Sequence, residues 1–238
     1  MNEQELRNWL NPANQQLLTE LEGIIPVRFT QWERNYHGCQ VHKAENDVQH
    51  PVEVEVFYRN ETSQAKIAHE LLHAKVDVIL CDGITLYDVP NICKATEGLL
   101  TNADQIVNGC EHYIFFPEYL DMGYAEDESF EEYQLSAESQ QLLDSLCQHG
   151  LKSGLHYDVN KVFQFLSLSF TFCLYPNDER FVSEKERLKN LDKVLFSKVD
   201  KLRDDCDLEI IPENRQFLQD AYREFTRRMN SWFLANKP

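Results

Sequence analysis

The chain has 238 residues, of which 42% are apolar and 26% are charged, and its net charge is -17. This composition predicts a folded globular protein with a sizeable hydrophobic core. Because the acidic excess repels phosphates, binding to nucleic acids or to anionic membranes is disfavoured. The sequence has no stretch of roughly 20 apolar residues, and the polar N-terminus lacks a signal peptide's apolar run. The seven cysteines form no C-x-x-C pair, which favours reduced thiols in a cytoplasmic protein.

The first third of the chain predicts two short helices and a small sheet. Helices are expected at 3–10 and 13–24, and strands at 26–34, around 39–43 and at 51–59. The two helices are separated by Asn11-Pro12. In the last of these strands Val52, Val54 and Val56 share one face. The sheet is therefore expected to be small and either antiparallel or mixed.

The rest of the chain predicts helices almost throughout. Cap residues at 60–63 begin a helix that ends before Asp82-Gly83. Further helices are expected at 91–98, 102–122, 128–148, 158–175, 183–204 and 212–234. The fold class is therefore α+β, with a small N-terminal sheet packed on the helix that follows it and a mostly α-helical C-terminal half. Residues 1–150 are expected to form one domain and 151–238 a helical extension. No sharp change in composition marks this boundary, so the sequence is also compatible with a single domain.

The predicted helix at 183–204 carries an apolar stripe at helical spacing. The stripe consists of Leu188, Leu191, Leu195, Val199 and Leu202. Such a stripe indicates a core or interface face rather than a chemical site.

The segment KIAHELLHAKV contains the pattern H-E-x-x-H at residues 69–73. On a helix His69 and His73 lie one turn apart on the same face, so both imidazoles can bind one ion. Glu70 is offset by about 100° and can reach a water on that ion instead. Two nitrogen ligands, a third ligand and an open position are what zinc-assisted hydrolysis requires. Chance produces this pattern on the order of 0.03 times in such a chain.

The third ligand is expected from VNGCEHYIFFPEYLDMGY, residues 107–124. Glu111 and His112 are adjacent, and neighbouring helix residues point about 100° apart, so one of them binds the ion. His112 gives a three-histidine site, and Glu111 gives a two-histidine, one-glutamate site. Asn108 lies one turn before His112 and is expected to orient it by a hydrogen bond. Glu97 is a less favoured alternative ligand.

The H-E-x-x-H helix resembles the active-site helix of the zincin superfamily of metallopeptidases. The HELLH form, followed by a helix that ends at Gly123-Tyr124, is similar to small bacterial zincin-like proteins, some of which accompany stress-response and phage-defence genes. The resemblance covers about residues 50–125. It implies metal ligands at His69 and His73 and a catalytic acid/base at Glu70. It also implies that the strand VEVEVFY borders the cleft and pairs with an extended peptide.

These residues together predict a cytoplasmic, zinc-dependent metallopeptidase. It would hydrolyse a peptide bond in a specific cytoplasmic protein by Glu70-assisted attack of zinc-bound water. The helical C-terminal half would select that protein or bind a partner, and Tyr113 or Tyr124 would stabilise an oxyanion. The alternative is a catalytically inactive zincin-like protein that binds partners through its acidic helical surface.

Overall fold

A computed structural model of the chain describes residues 2–32, 38–44, 47–59, 62–81, 93–100, 103–125, 128, 137–173 and 181–236. The α-helices are α1 (Glu3–Trp9), α2 (Pro12–Glu22), α3 (Gln64–Val76), α4 (Lys94–Leu100), α5 (Ala103–Asp121), α6 (Ala137–His149), α7 (Val159–Cys173), α8 (Val182–Leu191), α9 (Lys193–Asp205) and α10 (Arg215–Asn236). The strands are β1 (Val27–Gln31), β2 (Gly38–Ala44), β3 (Asp47–Tyr58), β4 (Lys152–Ser153) and β5 (His156–Tyr157). The predicted α+β class is thereby confirmed. None of the described helices is long and apolar enough to cross a membrane.

The chain divides into two compact units, and each unit consists of three separate segments. The first contains Met1–Ile84, Ile114–Tyr133 and Glu209–Gln216; the second contains Thr85–Tyr113, Gln134–Leu208 and Phe217–Pro238. The division falls inside helix α5, so this continuous helix has residues in both units. The boundary predicted near residue 150 lies within a single segment of the second unit.

A three-stranded mixed sheet of order β1-β3-β2 forms the β part of the first unit. Strand β1 runs parallel to β3 and β2 runs antiparallel to it. One face packs into the core, where Val54 and Val56 are fully buried, whereas Val52 is 48% exposed. On the other face Glu55 accepts a hydrogen bond from Thr30 and contacts His42 Nε2 at 2.9 Å.

Strand β3 occupies the centre of this sheet, and this position corrects one prediction. The backbone from Val54 to Phe57 is paired with β1 on one side and with β2 on the other. Because both rows of hydrogen-bonding groups are already used from Val54 to Phe57, this part of the strand VEVEVFY cannot pair with an extended peptide. That implication of the resemblance is wrong for this strand, since β1 and β2 are the edges of the sheet that the described residues form.

The break between the first two helices has a local cause in the sequence. Asn11 adopts an extended conformation and caps α2, and its side chain accepts a hydrogen bond from the backbone N–H of Asn14. Pro12 follows at the first helical position, where its missing N–H has no intrahelical partner to lose. The predicted helices at 3–10 and 13–24 are confirmed as α1 and α2, with bounds that differ by one or two residues.

A buried polar network joins α2, the start of α3 and the segment after α5 within the first unit. Asn14 is 0% exposed, and its Nδ2 donates to the backbone oxygen of Gln64 at 2.8 Å and to Gln64 Oε1 at 3.0 Å. The Tyr124 hydroxyl donates to Asn14 Oδ1 at 2.8 Å and accepts from Asn11 Nδ2 at 2.8 Å. Every member is satisfied, which makes such a network stabilising and specific in position.

Helix α3 begins where the sequence predicts. Ser63 is its N-cap, and the Ser63 hydroxyl accepts a hydrogen bond from the N–H of Lys66 at 3.2 Å. After Val76 the helix continues as a π-helical segment, Asp77–Cys81, which the sequence does not predict. Arg215 Nε donates to the carbonyl of Ile79 within this segment at 3.0 Å.

The second unit is helical apart from the short β4-β5 hairpin, within the residues that the structure describes. The predicted helices at 158–175 and 212–234 are confirmed as α7 and α10. Those at 91–98 and 128–148 are observed as α4 and α6, and residues 91–92 and 129–136 lie outside the described residues.

The single helix predicted at 183–204 is wrong, because the chain forms α8 and α9 there. Between them Asp192 is extended (φ −153°, ψ 99°), and its Oδ1 accepts hydrogen bonds from the N–H groups of Val194 and Leu195. Its Oδ2 accepts from the Tyr157 hydroxyl at 2.8 Å. An aspartate that caps a new helix competes with helix continuation, and apolar periodicity does not report this competition. Four residues of the predicted stripe are nevertheless buried: Leu188, Leu195, Val199 and Leu202.

Candidate metal centre

Helix α3 is a buried helix that carries polar side chains inward. Six of its apolar residues are 0% exposed: Ile67, Ala68, Leu71, Leu72, Ala74 and Val76. Glu70 is 7% exposed and His73 is 6% exposed, while the His69 side chain is 13% exposed. Ionisable residues are rarely buried to this extent unless they are paired or bind a metal. The ionisable side chains of this helix are therefore largely shielded from water.

The two motif histidines are in direct ring contact. The centroids of the His69 and His73 rings are 4.5 Å apart, and the ring planes are inclined at 85°. Phe115 of α5 contacts both rings, with centroids 5.5 Å from His69 and 4.8 Å from His73. The helical spacing thus brings both imidazoles to one point, as the motif predicts.

His112 completes a group of three imidazoles. Ligand nitrogens of His69, His73 and His112 all lie within 4.8 Å of one another, and His112 is only 3% exposed. In tetrahedral zinc sites the Zn–N distance is 2.0–2.1 Å, which separates two ligand nitrogens by about 3.4 Å. The limit of 4.8 Å on the nitrogens of this group is of the same order as that separation.

The remaining residues predicted for this site do not belong to the histidine group of the described residues. Ligand atoms of Glu111 belong to a different group, with Asp77 and Cys81, in which all also lie within 4.8 Å of one another. Asn108 is half-buried on α5, one turn before His112. Glu97 is exposed on α4 and belongs to neither group among the described residues.

Glu70 lies against the ring of its neighbour. Its Oε1 is 2.9 Å from His69 Nδ1. When Nδ1 carries the proton and donates it to this carboxylate, Nε2 of His69 is the nitrogen left with a lone pair. A carboxylate partner of this kind fixes the tautomer and the ring orientation of a ligating histidine.

The environment keeps His73 neutral. Burial, and to a smaller extent the neighbouring His69, lowers the pKa of His73 from 6.5 to about 3, although Glu70 acts in the opposite direction. A protonated imidazole has no free lone pair, so metal ligation requires the neutral ring. At neutral pH His73 is accordingly in the form that binds a metal.

The sequence suggests Tyr113 and Tyr124 as oxyanion donors. Among the described contacts, neither hydroxyl contacts the three histidines. The Tyr124 hydroxyl is used by Asn11 and Asn14, and burial raises its pKa. Tyr113 lines a small cavity in the second unit together with Cys110, Phe170 and Cys206. Phe115, in contrast, contacts two of the three histidines, although the motif does not predict it as a residue of the site. Its sequence signal is its position three residues after His112, on the same face of α5.

Comparisons of the chain with protein-family models, with curated proteins and with solved structures find no match. The donor set itself indicates which ion fits. Imidazole nitrogens suit zinc and its first-row neighbours, whereas magnesium and calcium prefer oxygen ligands. Three imidazoles that converge in a buried site therefore fit Zn²⁺.

Proposed function

We propose that this protein is a zinc-dependent metallopeptidase that hydrolyses a peptide bond in a specific protein substrate. The observation that carries the proposal is the convergence of His69, His73 and His112, with Glu70 beside them on a buried helix. Three protein nitrogens and an adjacent carboxylate are the set that zinc hydrolases use.

Each residue of the set has a defined task in this proposal. The three histidines would hold the ion, which when bound supplies a Lewis acid that acidifies water and polarises a carbonyl. Glu70 would accept a proton from the attacking water and return it to the leaving amine. Glu70 Oε1 lies 2.9 Å from His69 Nδ1, so this carboxylate stands beside one of the proposed ligands.

The number of ligands favours a catalytic site over a structural one. Structural zinc is almost always held by four protein ligands, whereas catalytic zinc has three and a position for water or substrate. Among the described residues the histidine group has three members. A partner-binding protein without catalysis is the alternative, and the experiments below distinguish the two.

Metal content per chain tests the site. Protein purified without a metal-affinity tag is analysed by elemental mass spectrometry as wild type, His69→Ala, His112→Ala and Glu111→Ala. We expect about one zinc per chain in the wild type and in Glu111→Ala, because Glu111 is the neighbour of His112 on α5 but belongs to the other group. Both histidine variants should lose the metal. A wild type that takes up no zinc on incubation would contradict the proposal.

Turnover of a diverse peptide library, read by mass spectrometry, tests the chemistry. Glu70→Gln keeps the shape of the side chain but removes the base, and general acid–base catalysis typically contributes about 10²–10⁴-fold. We therefore expect kcat to fall by about that factor, with zinc content unchanged. If Glu70→Gln cleaves as fast as the wild type, Glu70 is not the base. Zinc binding with no cleavage of any peptide or protein substrate would favour the partner-binding alternative.

A further inference from the structure

We propose that Phe115 is a positioning residue of the metal centre, whose ring holds the imidazoles of His69 and His73 in their ligating orientation before any ion binds. The inference rests on the proposed metal site but not on peptidase activity. The residue is 0% exposed on α5 and lies in the same unit as both histidines.

Three aromatic rings pack against one another here with nearly perpendicular planes. The His69 and His73 planes are inclined at 85°, and Phe115 is inclined at 81° to each of them. The three centroid distances are 4.5, 4.8 and 5.5 Å. These distances and angles are those of edge-to-face aromatic contacts, which are favoured over direct face-to-face stacking. Rotation of any one ring about its χ2 bond would therefore disturb both of the others.

Such restraint matters because the χ2 torsion of histidine has broad, shallow minima. An imidazole on an otherwise open helix face samples several orientations, and binding an ion then requires ordering the rings. The three-ring cluster orders two ligands in advance. A fully buried phenylalanine cannot turn towards solvent, so the restraint persists without the metal.

Contacts further along α5 hold Phe115 in place within the first unit. Three residues later Glu118 Oε1 accepts from Lys75 Nζ at 2.6 Å, and Lys75 is two residues beyond His73 on α3. Lys75 also contacts Glu20 Oε2 of α2 at 3.3 Å. The lysine thus links α3 to α5 close to the three rings and resists sliding of one helix along the other.

The alternative is that Phe115 only fills the core. In that case its truncation lowers stability but leaves the affinity of the folded protein for zinc unchanged. Positioning predicts a separate loss of affinity, because residues that orient metal ligands typically change it by about 10–100-fold.

The test measures zinc affinity by competition with a chromophoric chelator, together with the Co²⁺ absorption spectrum, for the full chain. The variants are Phe115→Leu, Phe115→Tyr and, as a matched control, Phe29→Leu. Phe29 is a 4% exposed phenylalanine of β1 in the same unit, packed against Arg7. We expect about 10–100-fold weaker zinc binding and an altered cobalt spectrum in Phe115→Leu. Phe115→Tyr should recover most of the affinity, and Phe29→Leu should match the wild type. Equal affinities in the two leucine variants would overturn the proposal.

A measurement on the wild-type protein covers the case in which Phe115→Leu does not fold. Nuclear Overhauser contacts between the ring protons of Phe115 and those of His69 and His73 are recorded without and with zinc. Positioning predicts the same contacts in both states, and contacts that appear only with zinc would refute it. Zinc binding without peptidase activity contradicts the proposed function alone, whereas equal affinities contradict the positioning role alone.

Discussion

Substitution of Tyr124 by Phe separates two roles for this hydroxyl. If Tyr124 stabilised an oxyanion, its loss would lower turnover and leave stability nearly unchanged. The structure instead places the hydroxyl between Asn11 and Asn14. It donates a hydrogen bond to Asn14 Oδ1 and accepts one from Asn11 Nδ2. We therefore expect Tyr124→Phe to reduce stability while zinc content stays at the wild-type level.

The expected loss follows from burial. An ordinary hydrogen bond contributes about 0.5–1.5 kcal/mol, but leaving a buried acceptor unsatisfied costs about 1–3 kcal/mol. Asn14 is 0% exposed, so its Oδ1 falls in the second class. Asn11 is half-buried, and water can reach its Nδ2, so that bond adds less. The sum is about 2–3 kcal/mol of unfolding free energy.

Urea unfolding followed by far-ultraviolet circular dichroism measures this loss. With a slope of about 2–3 kcal/mol per molar urea, the midpoint should fall by about 1 M. A double-mutant cycle with Asn14→Ala isolates the pair, and we expect a coupling of at least about 1 kcal/mol. A change below about 0.5 kcal/mol in Tyr124→Phe would refute the assignment of the hydroxyl to this network.

Three further predictions concern stability. Burial and the hydrogen bond to Asp192 raise the pKa of Tyr157 from 10.0 to about 12; the neutral phenol therefore stabilises the fold fully below pH 10. The advantage of wild type over Tyr157→Phe in unfolding free energy should fall by about 1–2 kcal/mol between pH 10 and 12, and a pH-independent difference would contradict this. Asp192→Ala should cost about 1–2 kcal/mol more in chemical denaturation than Asp192→Asn, which can still cap α9. Gly123 has φ +88° and open space around it, so Gly123→Ala should lower the melting temperature through about 1 kcal/mol of backbone strain alone.

Local rules predict much of the fold. Three local signals predict the bounds of an element to within a few residues: Pro12, the cap residue Ser63 and the alternation in β3. Each of them acts on its own stretch of backbone. Periodicity fails where a side chain has a second use. Leu188 and Leu195 continue one helical stripe, yet Asp192 between them bonds to the N–H groups of α9 and to Tyr157. The spacing of apolar residues indicates which face is buried, but it does not indicate where a capping residue ends one helix and begins another.

The position of β3 in its sheet illustrates a different limit. An alternating strand looks the same in sequence whether it lies at an edge or at the centre, since alternation reports the two faces and not the two edges. The pairing of β1 with β3 depends on contacts between residues 27 and 54, which are distant in sequence. The peptide-pairing role that resemblance suggests for this strand is excluded only by that tertiary fact.

The third ligand shows where sequence reasoning stops at this site. His69 and His73 are four residues apart on one helix, so helical geometry alone brings their side chains together and the motif predicts their contact. Glu111 and His112 differ by about 100° in direction, and which of them meets the pair depends on the rotation of α5 about its axis. Contacts between residues distant in sequence, such as Lys75 with Glu118, constrain that rotation, and no spacing rule encodes them. The same rotation presents Phe115 to both imidazoles, since it lies about one turn beyond His112. The choice of ligand and the positioning ring are thus consequences of one helix orientation, and a change that rotates α5 should disturb both.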